Sequence, residues 1–152
     1  MSTDNVALTH RWFDEVWNQG RVEAIDEMAA KDAVGHGQAE HGADIHGLEE
    51  FKPFVRSLRA AFPDIKITID LSIAEGEHVA VHWHATMTHK GQFLDFAPTG
   101  KNVTITGTSI QRIVNGKIVE GWDNWDQLAL LVQIGAVPTA KFLPRERQRR
   151  SA

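Results

Sequence analysis

Cysteine and tyrosine are both absent from the 152 residues of this chain. Without cysteine, the chain can form no disulfide and can offer no thiolate as a metal ligand or nucleophile. No apolar stretch approaches the roughly 18 residues that a membrane-spanning helix needs, so we expect no membrane partner. The first residues, MSTDNVALTH, lack the basic and apolar regions of a secretory signal. We therefore expect a cytoplasmic protein.

An excess of basic residues is also lacking, because the formal net charge at pH 7 is −4. Nucleic-acid surfaces carry clustered lysine and arginine, so we expect no nucleic-acid partner. The sequence contains neither a G-x-S-x-G nucleophile motif nor a glycine-rich phosphate loop. Hydrolysis by an activated serine and binding of a nucleotide phosphate are therefore not indicated.

The length fits one domain with enough residues to bury a core and leave a cavity. We place this domain at residues 1–137 and a basic C-terminal tail, expected to be flexible, at 138–152, where the sequence PRERQRRSA is almost devoid of apolar residues. The aromatic residues are five tryptophans and seven phenylalanines. Such a set suits a large aromatic core or a pocket lined with flat apolar rings.

Helical periodicity dominates the first part of the chain. Apolar residues spaced by three and four, with capping and stop signals, predict four helices: Asp4 to about Asn18, 21–30, 48–62 and 126–135. Residues 31–46 contain three glycines and three histidines without periodicity. We interpret them as a loop with at most a short strand.

Alternating apolar and polar residues dominate the second part. They predict long antiparallel strands at 65–73, 79–88, 103–114 and 117–125. Asn115-Gly116 joins the last two strands and is a strong signal for a tight hairpin. Helices followed by a run of strands indicate an α+β fold, in which the twisted sheet curls around a helix and encloses a funnel-shaped pocket.

Five segments, in this order and spacing, resemble the SnoaL-like polyketide and ester cyclases: RWFDEVWNQGRVEAIDEM, GLEEFKPFVRSLRAAFPD, PTGK, RIVNGKIVEGWDNWD and DQLALLVQIG. The resemblance covers about residues 8–135. It implies the cone-shaped α+β barrel of ketosteroid isomerase and scytalone dehydratase, with a curved antiparallel sheet wrapped around N-terminal helices. It also implies a homodimer, and ring closure of a polyketide ester by intramolecular aldol condensation without a cofactor or metal.

Asp123 is the strongest candidate for chemistry. It lies near the end of the last strand, between two tryptophans, where desolvation would raise its pKa and make it a stronger base once ionised. The resemblance implies that it serves as the acid and base of the reaction. The alternative is a structural role, as a helix cap or in an ion pair. Asp126 competes for the capping role, because it directly precedes the last predicted helix.

One residue departs from the family pattern. Many relatives carry His-Trp-Asp where this chain has Gly121-Trp122-Asp123, so a partner for the acid is missing and the pocket is locally wider. Other histidines could compensate: His82 and His84 share one face of a strand, and His36 follows the second helix, where the resemblance implies a polar pocket residue. We predict that Asp123 and His36 are catalytic residues. The predicted pocket residues are His82, His84, Trp12, Trp17, Phe54, Phe62 and Trp122.

The leading prediction is a lyase- or isomerase-type enzyme acting on a small apolar molecule that carries carbonyl groups. A non-catalytic binding protein of the same fold is one alternative. Epoxide hydrolysis is another, and it would need Arg112 on the face of Asp123 with Asp70 as a second acid. We expect no metal site, since His82 and His84 lack a carboxylate at a recognisable ligand spacing.

Overall fold

A computed structural model describes residues 2–138 of the chain, in which helices pack against one six-stranded sheet. The helices are α1 (Ser2–Arg11), α2 (Val22–Met28), α3 (Gly47–Ala61) and α4 (Gln127–Gln133). The strands are β1 (Ala29–His36), β2 (Ile45–His46), β3 (Lys66–Glu75), β4 (His78–Thr88), β5 (Asn102–Val114) and β6 (Lys117–Trp125). Apart from residue 138, the predicted basic tail lies outside the described residues.

The strand order across the sheet is β2-β1-β6-β5-β4-β3. All neighbouring pairs are antiparallel except β1 and β6, which are parallel. The α+β layout predicted from the sequence is confirmed. Across residues 2–138, none of the helices combines the length and the apolar character needed to cross a bilayer.

The first helix changes character halfway along its length. After Arg11 the α-helix continues as a π-helical segment, Trp12–Asn18, which the sequence pattern did not predict. Four of its side chains are buried in two adjacent pairs: Trp12, Phe13, Val16 and Trp17. The wider helix therefore turns a broad aromatic face toward the sheet.

Residues 31–46 contain more regular structure than the predicted loop with at most a short strand, because they include most of the eight-residue strand β1 and all of β2. In β1, Gly35 and His36 lie beside Gly121 and Trp122 of β6. This strand is at most half-buried after its first residue, so it carries no clear alternation of apolar and polar residues. Strand β6, which lies far from β1 in the sequence, holds β1 in place. The pattern of neighbouring residues cannot predict such a pairing.

Two β-bulges decide which side chains face the helices. In β3, the pairing passes from Ile69 opposite Trp83 to Leu71 opposite His82, leaving Asp70 as an extra residue. An extra residue reverses the direction of every later side chain in the strand. Leu71 and Ile73, predicted on the buried face, are therefore 55% and 62% exposed.

The second bulge lies in β6, just after the hairpin turn. Asn115 and Gly116 have positive φ angles of 50° and 74°, as the predicted tight turn requires. Ile113 pairs with Ile118, but Arg112 pairs with Glu120, so Val119 is the extra residue. As a result, the odd-numbered residues after Val119 point toward the helices.

Candidate functional site

The concave face of the sheet, the π-helical segment and α3 enclose a cavity, which we call the apolar cavity. It contains about 520 Å³ of empty space, part of it open to solvent. Most of its wall is aliphatic or aromatic, including Leu58, Ile65, Ile67, Met87, Ile105 and Leu130. The polar exceptions are Gln38, Ser109 and Asp123.

Asp123 projects from β6 into this cavity. Desolvation by the surrounding residues raises the pKa of its carboxyl group to about 6. A hydrogen bond from Ser109 has the opposite, smaller effect and lowers the pKa. Among residues 2–138, Asp123 has no arginine as an ion-pair partner, and it does not cap α4. The capping role belongs to Asp126, whose side chain accepts a hydrogen bond of 3.0 Å from the Ala129 N–H, as predicted.

A hydrogen-bonded chain inside the protein holds the Asp123 carboxylate. Ser109 lies opposite Asp123 in β5 and donates its hydroxyl to Oδ1 at 2.6 Å. The same hydroxyl accepts a bond of 3.0 Å from the indole Nε1 of Trp83, in β4. Because Trp83 can only donate, the hydroxyl proton is directed toward Asp123.

Gly107 makes room for the Trp83 indole. The two residues are directly paired between β4 and β5. A Cβ atom built on Gly107 would lie 2.2 Å from the indole ring, closer than real Cβ contacts come. The indole thus occupies the space that a side chain at position 107 would take.

A second cavity, which we call the amide cavity, adjoins the first. It contains about 500 Å³ of empty space, part of it open to solvent, and it shares four wall residues with the apolar cavity: Phe13, Trp17, Gln38 and Asp123. Gln111 and Gly121 line only the amide cavity. Asp123 therefore stands at the boundary between an almost wholly apolar space and a more polar one.

Gly121 shapes the surroundings of the carboxylate. A Cβ atom at this position would lie 3.8 Å from Asp123 Oδ2 and 3.6 Å from the carbonyl oxygen of Ile110, both ordinary contacts. A larger side chain here would stand beside the acid. Its absence leaves the amide cavity wider next to Asp123.

The predicted aromatic wall residues divide between cavity and core. Trp17 and Phe54 line the apolar cavity, and Trp12 lines the amide cavity. Phe62 is fully buried, but it packs against the rings of His89 and Phe93, each 5.5 Å away, and lines neither cavity. Its predicted role as a pocket wall is corrected to a core role.

His82 and His84 lie on the convex face of the sheet, because Trp83 between them points inward. His84 Nδ1 donates to the Asp70 carboxylate at 2.7 Å, and His82 Nδ1 lies 3.2 Å from the Thr108 hydroxyl. We correct the prediction that these histidines line the pocket. Strict alternation along β4 keeps both side chains away from Asp123.

His36 and Trp122 also lie on the convex face, where their rings stack with centroids 5.4 Å apart. His36 Nε2 donates to Glu120 at 2.7 Å, and this bond raises the pKa of the histidine. Neither residue lines the apolar cavity or the amide cavity. Since Gly35 and Asp123 occupy the inward positions, their neighbours His36 and Trp122 must point outward.

The two residues that epoxide hydrolysis would need beside Asp123 lie on the other face of the sheet. Arg112 faces outward and lies 3.4 Å from a Glu77 carboxylate oxygen, and Asp70 contacts His84 on the same convex face. Within residues 2–138, no group of three or more histidine, aspartate or glutamate side chains is arranged to hold a metal ion.

Sequence reasoning did not assign site roles to Trp83, Ser109, Gln111 or Gln38. A usable signal was present for two of them. Ser109 and Gln111 alternate in β5 with outward residues and share the inward face with Ile105 and Ile113. A polar residue on an otherwise apolar strand face indicates either a buried hydrogen bond or a cavity.

A curved sheet with an acidic side chain in an apolar cavity beneath helices defines a small α+β protein built around an internal pocket. The sequence pattern of the SnoaL-like polyketide cyclase family matches residues 7–134. The chain belongs to this family, as its sequence resemblance predicted.

Individual relatives agree with this assignment. Over 122 residues the chain is 26% identical to the aklanonic acid methyl ester cyclase DauD of Streptomyces sp. (strain C5), covering 80% of this chain and 76% of DauD. The structure of AclR, a proposed hydroxylase from Streptomyces galilaeus, has a TM-score of 0.81 at 26% identity and covers 99% of this chain and 91% of AclR. IdmH, a proposed polyketide cyclase from Streptomyces antibioticus, has a TM-score of 0.72 at 31% identity and covers 89% of this chain and 99% of IdmH. The predicted fold is thereby confirmed.

Proposed function

We propose that this protein is a cyclase that acts on a small apolar ester or ketone, and that Asp123 is its catalytic acid and base. The substrate has two carbonyl groups flanking an acidic carbon and a third carbonyl farther along the molecule. The observation that carries the proposal is a carboxylate with a pKa raised to about 6 at the boundary of two adjoining cavities. Such a group is a stronger base than an ordinary aspartate and is still largely ionised at neutral pH.

The proposed reaction needs no oxidant, reductant, cofactor or metal. Ionised Asp123 takes a proton from the carbon between the two carbonyls, which leaves an enolate. The enolate carbon attacks the third carbonyl carbon of the same molecule, forming a carbon–carbon bond and an alkoxide. Asp123 returns its proton to the alkoxide oxygen, so the product is an isomer of the substrate.

The neighbours of Asp123 supply orientation and desolvation. Ser109 and Trp83 fix Oδ1, which leaves Oδ2 to reach the substrate carbon. The apolar walls exclude water from the carboxylate and bind the hydrocarbon part of the substrate. The names of relatives such as DauD, an ester cyclase, support the same reaction class.

The pH dependence of proton abstraction tests this proposal. With methyl 3-oxo-3-phenylpropanoate as substrate, exchange of the α-protons for deuterium can be followed by NMR. We expect the enzymatic rate to rise with pH, with a midpoint near 6, because only ionised Asp123 accepts a proton. The Ser109→Ala variant should move the midpoint upward, because the lost hydrogen bond stabilises the ionised form.

Two results would contradict the proposal that this protein is a cyclase with Asp123 as its base. Exchange no faster than the buffer reaction, together with a clear melting shift on adding the ester, would favour the non-catalytic binding protein. A midpoint that Ser109→Ala leaves unchanged would mean that another group is the base.

We also propose that the convex face of the sheet forms a homodimer. Ile73, Ala80, Ile110 and Trp122 lie side by side across four strands. Ile73 and Ile110 are 62% and 36% exposed, and Leu71 adds a further exposed side chain. A contiguous apolar row on an open sheet face is typical of a surface covered by a partner, and a second copy supplies the same row.

Replacing Ile73 with glutamate should convert the dimer to a monomer, because each copy would bury an unpaired carboxylate in the apolar interface. Sedimentation velocity at micromolar concentration measures the change, with Ile73→Val as the control that keeps the surface apolar. A wild-type protein that sediments as a monomer under these conditions would contradict the proposal.

A further inference from the structure

Gln111 is a buried polar residue that takes no part in the hydrogen bonds linking Trp83, Ser109 and Asp123 or in the proposed reaction. It lies in β5 on the inward face, two residues beyond Ser109, and only 6% of it is exposed. Among the described residues, no donor pairs with its side-chain Oε1. A buried amide oxygen without a donor is uncommon in folded proteins and calls for an explanation.

The surroundings of Gln111 give that explanation. Its side chain lines the amide cavity, and its direct neighbour in β6 is Gly121, which has no side chain to fill the space or to satisfy the amide. On the other side of Gly121 lies the Asp123 carboxylate, whose Oδ2 is within 3.8 Å of a Cβ built on the glycine. Gln111 and the proposed base therefore line the same cavity.

The two cavities differ in the chemistry they offer. The apolar cavity presents aliphatic and aromatic surface to one end of a ligand. The amide cavity is lined by the side chain of Gln111, whose Oε1 is unpaired, and Gln38 stands at the wall common to both cavities. A molecule whose acidic carbon lies against Asp123 has one of these spaces available for each of its two ends.

Resting on the proposed function, we infer that the substrate is an unsymmetrical β-dicarbonyl compound whose polar end carries a hydrogen-bond donor, and that Gln111 binds this end. The hydrocarbon end occupies the apolar cavity. A side-chain amide has one acceptor oxygen and two donor hydrogens, so a primary carboxamide would match it with paired hydrogen bonds. An ester has only acceptor oxygens and would leave Oε1 unpaired.

A matched pair of ligands tests this recognition without requiring turnover. Isothermal titration calorimetry compares the Kd of 3-oxo-3-phenylpropanamide with that of methyl 3-oxo-3-phenylpropanoate, which differ only at the polar end. Each ligand is titrated into the wild type, Gln111→Met and Gln92→Met. Gln92 belongs to the connection before β5, lines neither cavity and serves as the matched control.

We expect Gln111→Met to reduce the preference for the amide over the ester about five-fold, the effect of one or two net hydrogen bonds. The Kd of the ester should stay within about two-fold of the wild-type value, which also shows that the variant is folded. Gln92→Met should keep the wild-type preference.

A second measurement uses only the wild type, in case Gln111→Met does not fold. In ¹⁵N-labelled protein, the side-chain NH₂ signals of Gln111 should shift more when the amide ligand binds than when the ester binds.

The outcomes separate this inference from the proposed function. If the ester binds and exchanges its protons but the amide preference is the same in Gln111→Met, the role of Gln111 is overturned and the cyclase proposal stands. Equal shifts of the Gln111 signals with both ligands overturn it as well. If the wild type binds neither ligand, both proposals fail.

Discussion

Asp123→Asn is expected to lower the rate of α-proton exchange by about 100- to 10,000-fold, the usual contribution of a positioned general base. The asparagine amide is nearly isosteric and can still accept the Ser109 hydrogen bond, but it cannot take a proton from carbon. NMR with methyl 3-oxo-3-phenylpropanoate measures the loss. The Kd of the ester should change little, because the apolar walls that bind it are untouched.

The stability of the same variant separates a lost base from a damaged fold. Since folding raises the pKa of Asp123 from 3.8 to about 6, the neutral acid favours the folded state. The wild type therefore loses stability as pH rises from about 4 through 6, by at most about 3 kcal/mol. The introduced asparagine does not ionise. The free energy of unfolding of the variant, relative to that of the wild type, should therefore rise by up to this amount between pH 4 and pH 7.5, as measured by urea unfolding.

An exchange rate that survives Asp123→Asn would assign the chemistry to another residue. A stability difference that does not vary between pH 4 and pH 7.5 would show that the Asp123 carboxylate is well solvated. Either result would return Asp123 to a structural role.

Gly107→Ala is expected to destabilise the protein by about 3 kcal/mol. The new methyl group would lie 2.2 Å from the Trp83 ring, and β5 cannot move away because strands flank it on both sides. The indole must therefore rotate, which overpacks the core and breaks its bond to Ser109. Urea unfolding followed by circular dichroism measures the change.

Gly121→Ala is the matched control for this substitution. It introduces the same methyl group into the neighbouring strand, but there a Cβ meets only ordinary contacts at 3.6 and 3.8 Å. We expect its stability to stay within about 1 kcal/mol of the wild type. Equal effects at the two positions would contradict the close packing of Trp83 on Gly107.

The sequence predicted the helices and the four long strands because each carries its own periodicity. It could not predict the faces of β3 and β6 after their bulges. Neither Asp70 nor Val119 marks a bulge by its residue type, and the reversal exists only in the pairing with a neighbouring strand. For this reason Leu71 and Arg112 were placed on the wrong face.

The prediction of the candidate site from the sequence was limited in the same way. Asp123 could be selected from its aromatic neighbours and from the family resemblance. The histidines could not be excluded, because the choice between His82 and Trp83 as the inward residue depends on where the helices pack. Ser109 and Gln111 were overlooked because single polar residues in a strand are common on exposed faces. Only the register puts Ser109 opposite Asp123 and Gln111 opposite Gly121.

The parallel pairing of β1 with β6 has a consequence for how the site forms. β5 and β6 are joined by a tight turn and can pair locally, whereas β1 must arrive from the N-terminal third of the chain. Contacts between distant segments form slowly, since they require closing a long loop first. Gly35 and Gln38 reach the Asp123 wall only with β1, so a chain still emerging from the ribosome has no complete pocket until nearly all of the domain is synthesised.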